Sequence, residues 1–365
     1  MITIAYDHQF FSIFRYSGIT RYFYEIISRL VNEQDVSLSL YMGFHINDFD
    51  YARFKSRYAH FFGRRRPAVP KTTRIFNTIN DALFPLFIKR AGPGIYHQTY
   101  YRSFLPGFKG KRVITVYDMT YELFPDKFSG NDPVILEKET SIRRADAIVA
   151  ISESTKNDIV RLLSIPPEKI TVVYLANSLT AIPVGLPAAG GPFILYVGQR
   201  CPHKNFPVLL NAYCRSSRVN REYGLVCFGG EPFTDGEKQV LARHGVLGRA
   251  RHVCGSDELL AGYYSRASLL VYPSLYEGFG LPLLEAMHYG CPVTASRVAS
   301  LPEIGGQAAA YFDPSSADDL AATMERVLSD TVARKQMTDR GRCREKEFSW
   351  DVCASQTLAL YKSLL

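Results

Sequence analysis

SLYEGFGLPLLEAM, residues 274–287, follows an apolar run at 267–273 and is itself mostly apolar, yet it carries two glutamates, Glu277 and Glu285. A carboxylate in so apolar a setting is costly unless something pairs with it. The pattern reads as strand, glycine-containing loop, helix. Pro282 suits a first helical turn, and Gly290 suits its end. Gly278 and Gly280 let the backbone approach a ligand and leave amide N–H groups pointing outward. The helix N-terminus adds positive potential, so the stretch suits a phosphate. Glu277 falls in the loop and Glu285 in the first turn. Both can accept hydrogen bonds from ligand hydroxyls; equally, acids early in a helix can do no more than favour its dipole.

A second loop of the same kind, GQRCPHKN at 198–205, follows the strand-like FILYVG and precedes another helix. Arg200 and Lys204 lie on it, either as ordinary surface cations or as two fixed charges able to neutralise a diphosphate leaving group without metal. In the first half, Gly18 opens a helix as a further close-approach glycine. His8, His97, Gln98 and the pair Tyr117-Asp118 stand at strand ends. A lone histidine there is more often a structural hydrogen-bonder than a catalyst. Asn47-Asp48-Phe49-Asp50 contains a D-x-D, a pattern that can hold a metal and a sugar nucleotide. It does not clearly follow a strand of a nucleotide-binding unit, so no metal is expected.

These loops belong to two alternating series. Strands are expected at 2–6, 36–41, 94–97, 112–117, 147–151 and 170–174, and again at 193–198, 225–230, 251–254, 268–273, 292–296 and 309–313. Helical patterns fill the intervals and run to 350–364. Residues 7–17 are expected as loop. The uncharged Gly, Pro and Ala-rich run at 175–192 interrupts the alternation. Strands alternating with helices imply parallel sheets covered on both faces. The expected organisation is α/β: an N-terminal doubly wound domain (1–178), a linker (179–192), a second doubly wound domain (193–347) and a C-terminal helix (348–365) returning to the first. Ligands of such folds bind at the carboxyl ends of the strands.

The 365 residues contain seven scattered cysteines with no CxxC pair, which argues against a disulfide framework or zinc site and for reduced thiols in a cytosol. MITIAYD lacks the basic start of a signal peptide, and no run of apolar residues is long enough to span a membrane. The expected location is therefore cytoplasmic, peripheral on the inner face of the cytoplasmic membrane at most. The net charge of +8 is uneven: residues 51–112 hold 14 basic residues, one acid (Asp81) and 13 Phe and Tyr. A basic surface interleaved with aromatics suits an anionic membrane face, an anionic lipid or a nucleic acid.

The run SLYEGFGLPLLEAMHYGCPV, with Glu277 and Glu285 eight apart, resembles the signature of retaining glycosyltransferases of family 4. Those enzymes have the GT-B fold, two Rossmann-like domains facing a cleft. YVGQRCPHKN is similar to the family's Arg…Lys loop. SDELLAGYYSRASLLVYPS and SRVASLPEIGGQAAAYFDP resemble the segments flanking the signature. DHQFFSIFRYSGITRYFYEI and VYDMTYELFPDKF resemble, more loosely, the bacterial branch that includes O-antigen and capsule mannosyltransferases. In that branch a histidine often precedes Asp118; here Tyr117 stands in its place.

The resemblance implies a role for each residue. Glu285 binds ribose hydroxyls of the donor, Glu277 hydroxyls of the transferred sugar, and Arg200 with Lys204 the diphosphate. Amides of Gly278, Phe279 and Gly280 assist. Gly18 lets the first domain close on the diphosphate, and Asp118 lies near donor sugar and acceptor. No cofactor or metal is implied. The partners implied are a nucleotide-sugar donor, with GDP-mannose favoured over UDP- and dTDP-sugars, and a glycan or polyprenyl-diphosphate-linked acceptor. Residues 51–112 then meet the membrane or that acceptor rather than nucleic acid. Rival readings are a GT-B epimerase or hydrolase using the donor alone, a dinucleotide-dependent dehydrogenase, and a nucleic-acid-binding protein. The dehydrogenase would need G-x-G-x-x-G after the first strand, which is absent. The nucleic-acid binder leaves Arg200, Lys204, Glu277 and Glu285 unexplained.

Overall fold

The structure, a computed structural model, describes residues 1–69, 72–101, 105, 107–127, 133–182 and 191–365. Residues 183–190 of the expected linker, and 70–71, 102–104 and 106 of the basic window, lie outside the described residues. The chain divides into two units: unit 1 is Met1–Leu175 with Ser349–Leu365, and unit 2 is Ala176–Phe348.

Among the described residues, unit 1 is built on seven parallel strands: β1 (Ile2–Tyr6), β2 (Val36–His45), β3 (His60–Arg65), β4 (Ile95–Gln98), β5 (Lys111–Val116), β6 (Ala147–Ala150) and β7 (Ile170–Val172). Their order is β3-β2-β1-β4-β5-β6-β7. The run AIVA is apolar throughout, as suits a parallel strand covered on both faces of its sheet. Unit 2 holds six more: β8 (Phe193–Val197), β9 (Gly224–Phe228), β10 (Ala250–Val253), β11 (Leu269–Tyr272), β12 (Val293–Ser296) and β13 (Ala309–Phe312). Their order is β10-β9-β8-β11-β12-β13, all paired parallel. In both sheets the order reverses beside the first strand of the series, between β1 and β4 and between β8 and β11. A ligand crevice of a doubly wound sheet opens at such a point, past the carboxyl ends of the strands.

Two elements in the basic window differ from expectation. Residues 60–65, HFFGRR, form the edge strand β3, and residues Thr73–Ala91 form a long helix although Pro85 lies inside it. The helix docks on β2 through Asn80. Its Oδ1 accepts from Phe44 N at 2.8 Å, and its Nδ2 donates to Ser12 Oγ at 3.0 Å. The β2–β3 register shifts between Tyr41 and Gly43 at this place, and Gly43 has φ +61°. A Cβ on Gly43 would sit 2.3 Å from Asn80 Oδ1, so a larger residue there would push Asn80 out of these bonds. Within the expected loop 7–17, residues Gln9–Ile13 form a short helix, because Phe10 and Phe11 turn into the core.

The C-terminal helix Trp350–Ser363 packs on the helix Gly18–Leu30 of unit 1. Tyr361 is fully buried, with its hydroxyl 2.8 Å from that of Tyr6 and 2.5 Å from His97 Nδ1. His97 Nε2 lies 2.9 Å from Thr115 Oγ1, which also meets the Tyr22 hydroxyl at 2.9 Å. Burial depresses the His97 imidazole to about 3, so it is a neutral link in a core network. Unit 2 has its own core, in which Tyr196, Phe206, Leu209, Tyr213, Leu269, Val271, Phe312 and Met324 pack together.

Candidate active site

The reversal point of unit 2 brings together the two loops singled out in the sequence. The loop after β8 carries Arg200 and Lys204, and the loop after β11 carries Ser274 to Gly280. Leu275 N donates to His203 O at 2.8 Å, tying one loop to the other. Lys204 Nζ donates to Glu277 Oε1 at 2.6 Å and to the Tyr272 hydroxyl at 3.1 Å. Ser274 Oγ donates to the same Glu277 oxygen at 2.5 Å. Burial alone would depress the Lys204 ammonium. Glu277, and after it Tyr272, outweigh that and hold its pKa raised, so Lys204 is a fixed cation. Tyr272 and Ser274 were not singled out in the sequence. Their place, the last residue of a strand and the start of the glycine loop, is the signal that could have found them.

The Glu277–Gly280 backbone is held from below by Ser300, whose Oγ reaches Glu277 O at 2.8 Å and Phe279 O at 2.7 Å. Gly280 caps the helix Leu281–His288 with φ +112°, and a Cβ there would meet Leu301 Cδ2 at 2.9 Å. Pro282 lies in the first turn, as its missing N–H allows. Glu285, expected in that turn, is on the second, and the first turn carries no acid. A role limited to the helix dipole therefore does not describe it. Instead Glu285 Oε2 accepts from the buried Tyr264 hydroxyl at 2.8 Å, and the Tyr264 ring stacks with Tyr289. This fixes the carboxylate's direction.

Arg200 is more enclosed than a surface cation. Its side chain is 6% exposed, with Nε 3.0 Å from Glu237 Oε1 and Nη2 donating to the carbonyl oxygens of Glu231 and Pro232. The guanidinium lies 5.4 Å from the Phe206 ring and 5.1 Å from the Phe233 ring. Nη1 is buried without a partner among the described residues. Glu237, 37 residues along the chain, is a partner that no local motif announces.

In unit 1, Gly18 is the first residue of its helix, capped by Ser17, whose Oγ accepts from Thr20 N at 3.2 Å. Asp118 is half-buried. Its Oδ1 accepts from Thr120 N at 2.9 Å, and its carbonyl accepts from the buried Lys138 Nζ at 2.7 Å. Lys138 also pairs with Glu122 at 2.9 Å. Tyr117 is buried, and its hydroxyl finds no partner among the described residues. Gln98 donates to Ser141 Oγ at 3.0 Å and to Tyr100 O at 2.6 Å, and His8 Nε2 lies 3.1 Å from Asp81. The D-x-D acids are spent otherwise: Asp48 pairs with Arg15 and Arg65, and Asp50 caps the turn Tyr51–Arg57.

A family model described as "Glycosyl transferases group 1" matches residues 180–344, and one described as "Glycosyltransferase Family 4" matches residues 16–176. The chain is 31% identical over 372 residues to O-antigen chain mannosyltransferase B of Escherichia coli, covering 95% of this chain and 96% of that protein. It is 32% identical over 229 residues to MMP alpha-(1->4)-mannosyltransferase of Mycolicibacterium hassiacum, covering 61% and 55%. Among solved structures, sucrose-phosphate synthase from Thermosynechococcus elongatus superposes over 100% of this chain and 99% of that one, with a TM-score of 0.77 at 21% identity.

Proposed function

The chain belongs to the family 4 glycosyltransferases of GT-B fold, and on that premise we propose that it is a retaining mannosyltransferase drawing on GDP-mannose. Its acceptor is a glycan or polyprenyl-diphosphate-linked glycan of O-antigen-type surface polysaccharide synthesis. The observation that carries this reading is the Lys204–Glu277 pair at the reversal point of the unit 2 sheet, beside the N-terminus of the helix Leu281–His288. The choice of mannose rests on the relatives' names.

In the proposed reaction the anomeric C–O bond breaks and its electrons pass to the diphosphate oxygen. Lys204, Arg200 Nη1, the amides of Gly278 to Gly280 and the helix N-terminus meet that growing charge. Glu285, aimed by Tyr264, takes ribose hydroxyls, and Glu277 takes hydroxyls of the sugar. Glu277 Oε1 already accepts from Lys204 and Ser274, which makes it a poor nucleophile. A covalent glycosyl-enzyme of the glycosidase kind, which needs such a carboxylate, is therefore disfavoured. Attack by the acceptor hydroxyl on the face the diphosphate leaves, with its proton passing to the leaving phosphate oxygen, retains configuration without one. Asp118 is assigned to the acceptor side of unit 1.

The membrane reading of the basic window gains a specific surface. On the helix Thr73–Ala91, Ile75, Ile79, Leu83 and Leu86 form an exposed stripe flanked by exposed Arg74, Lys89 and Arg90. Apolar residues ringed by cations suit the inner leaflet, where an anionic lipid-linked acceptor would reside. No helix among the described residues is long and apolar enough to cross a membrane.

NMR of the product formed from GDP-mannose and a mannosyl acceptor tests the reaction. The expected product keeps the donor's α-configuration. A β-linked product, or full conversion of donor when no acceptor is present, would overturn the proposal.

A further inference from the structure

A pocket of about 420 Å³ in unit 1 is lined by Arg15, Ile46, Arg65, Arg66, Pro67 and Ala68. It sits past the carboxyl ends of β2 and β3, the ends at which doubly wound sheets bind ligands. Three guanidiniums face it against one carboxylate: Asp48 pairs with both Arg15 and Arg65. Arg66 has no acid partner among the described residues. It is only 7% exposed, donates to Pro67 O, Thr72 Oγ1 and Thr73 Oγ1, and lies 4.5 Å from the Phe76 ring. Its Nε is buried with no partner at all among the described residues. A buried guanidinium without a counter-charge is expensive, and an arriving anion repays that cost. The positive field reaches the neighbouring His45. Its imidazole is held down to about 4, by burial first and by Arg65 and Arg66 in addition.

We propose that the Arg15–Arg65–Arg66 pocket is a binding site for a phosphate-bearing ligand, with Arg66, a guanidinium that has no acid partner among the described residues, in its lining. Arginine suits this because its planar fork takes two phosphate oxygens at once. The phosphate comes either from a soluble phosphorylated molecule or from a lipid headgroup. The site uses no residue of unit 2 and does not rest on the sugar-donor reading.

Calorimetric titration of the full chain with inorganic pyrophosphate tests the proposal. Pyrophosphate also suits the donor site, so two binding events are expected. In Arg15→Gln/Arg65→Gln, both exposed positions whose loss leaves the core intact, one event should weaken at least about tenfold, the loss typical of a charged hydrogen bond. Arg66→Gln should abolish that event. Asp48→Asn, which removes the competing carboxylate, should tighten it, a gain no merely structural role predicts. A Lys204→Ala chain should lose the other event and keep this one, so failure here is separable from failure of the donor reading. If Arg15→Gln/Arg65→Gln and Asp48→Asn both bind pyrophosphate as the parent does, the proposal is wrong. Phosphatidic acid vesicles identify the source. Binding that pyrophosphate competes away supports a headgroup phosphate, and vesicle binding indifferent to pyrophosphate, beside the soluble event, supports a soluble ligand.

Discussion

Glu277 and Glu285 stand eight residues apart and are held by different partners, which gives them separable work. Tyr264 aims Glu285, whereas Lys204 and Ser274 share one oxygen of Glu277. Glu285→Ala is expected to raise the donor KM by about ten- to a hundredfold with a smaller change in kcat, the loss of hydrogen bonds to a charged group. Glu277→Gln keeps the shape and removes the charge that fixes Lys204. It is expected to lower kcat by about a hundredfold or more, the scale for removing preorganised electrostatics. Steady-state kinetics with varied donor checks both, and the reverse pattern would undo this division. Arg200→Lys should also lower kcat/KM, because one ammonium cannot reach Glu237 and two carbonyl oxygens from between two rings. The sequence singled out the glutamates and the Arg200–Lys204 loop by their place after strands and before helices, but left each open to a plainer reading, and their separate roles came only with the family resemblance. Tyr264 and Glu237 were not singled out, because they reach the site from elsewhere in the chain, and Tyr272 was passed over although it ends the strand that leads into the glycine loop.

Among the elements, those whose apolar runs are buried on both faces were read most directly from sequence: β1, β5, β6, β8 and β11 lie where such runs predict them. β3 was missed because an edge strand is covered less and its HFFGRR carries aromatics and cations without alternation. The helix Thr73–Ala91 was hidden by Pro85 and by apolar residues on its exposed side, which blur the amphipathic period. That exposed stripe makes a prediction. Leu86→Glu with Ile75→Glu should abolish flotation with anionic vesicles while leaving the melting temperature within a degree or two, as surface changes do. Retained flotation would contradict a membrane contact through this stripe.

The two units make different demands on stability. Unit 1 is closed by residues from the far end of the chain, since Tyr361 reaches Tyr6 and His97 inside it. Deleting residues 349–365 strands those two buried polar groups, each costing about 1–3 kcal/mol, besides the lost packing. Unit 1 should then melt well below the intact protein in calorimetry. The same network predicts a pH effect. Unfolded, His97 takes its proton near 6.5; folded, it resists to about 3. Stability is therefore whole above pH 6.5 and falls as the pH drops from there toward about 3, because the unfolded chain binds the proton first. Urea unfolding across that range checks it, and a flat profile between pH 6.5 and 4 would contradict the buried neutral imidazole.

The claim on which the functional account turns is that unit 2 binds the donor nucleotide through Lys204 and Glu285. Thermal melting with GDP, UDP, dTDP and ADP tests it most directly, because a ligand that binds only the folded state at a hundred times its Kd adds about 2.7 kcal/mol of stability. The account predicts a shift of a few degrees with GDP alone, reduced in Lys204→Ala and in Glu285→Ala. A shift with UDP and none with GDP would overturn the donor, and a GDP shift unchanged in both variants would overturn the site.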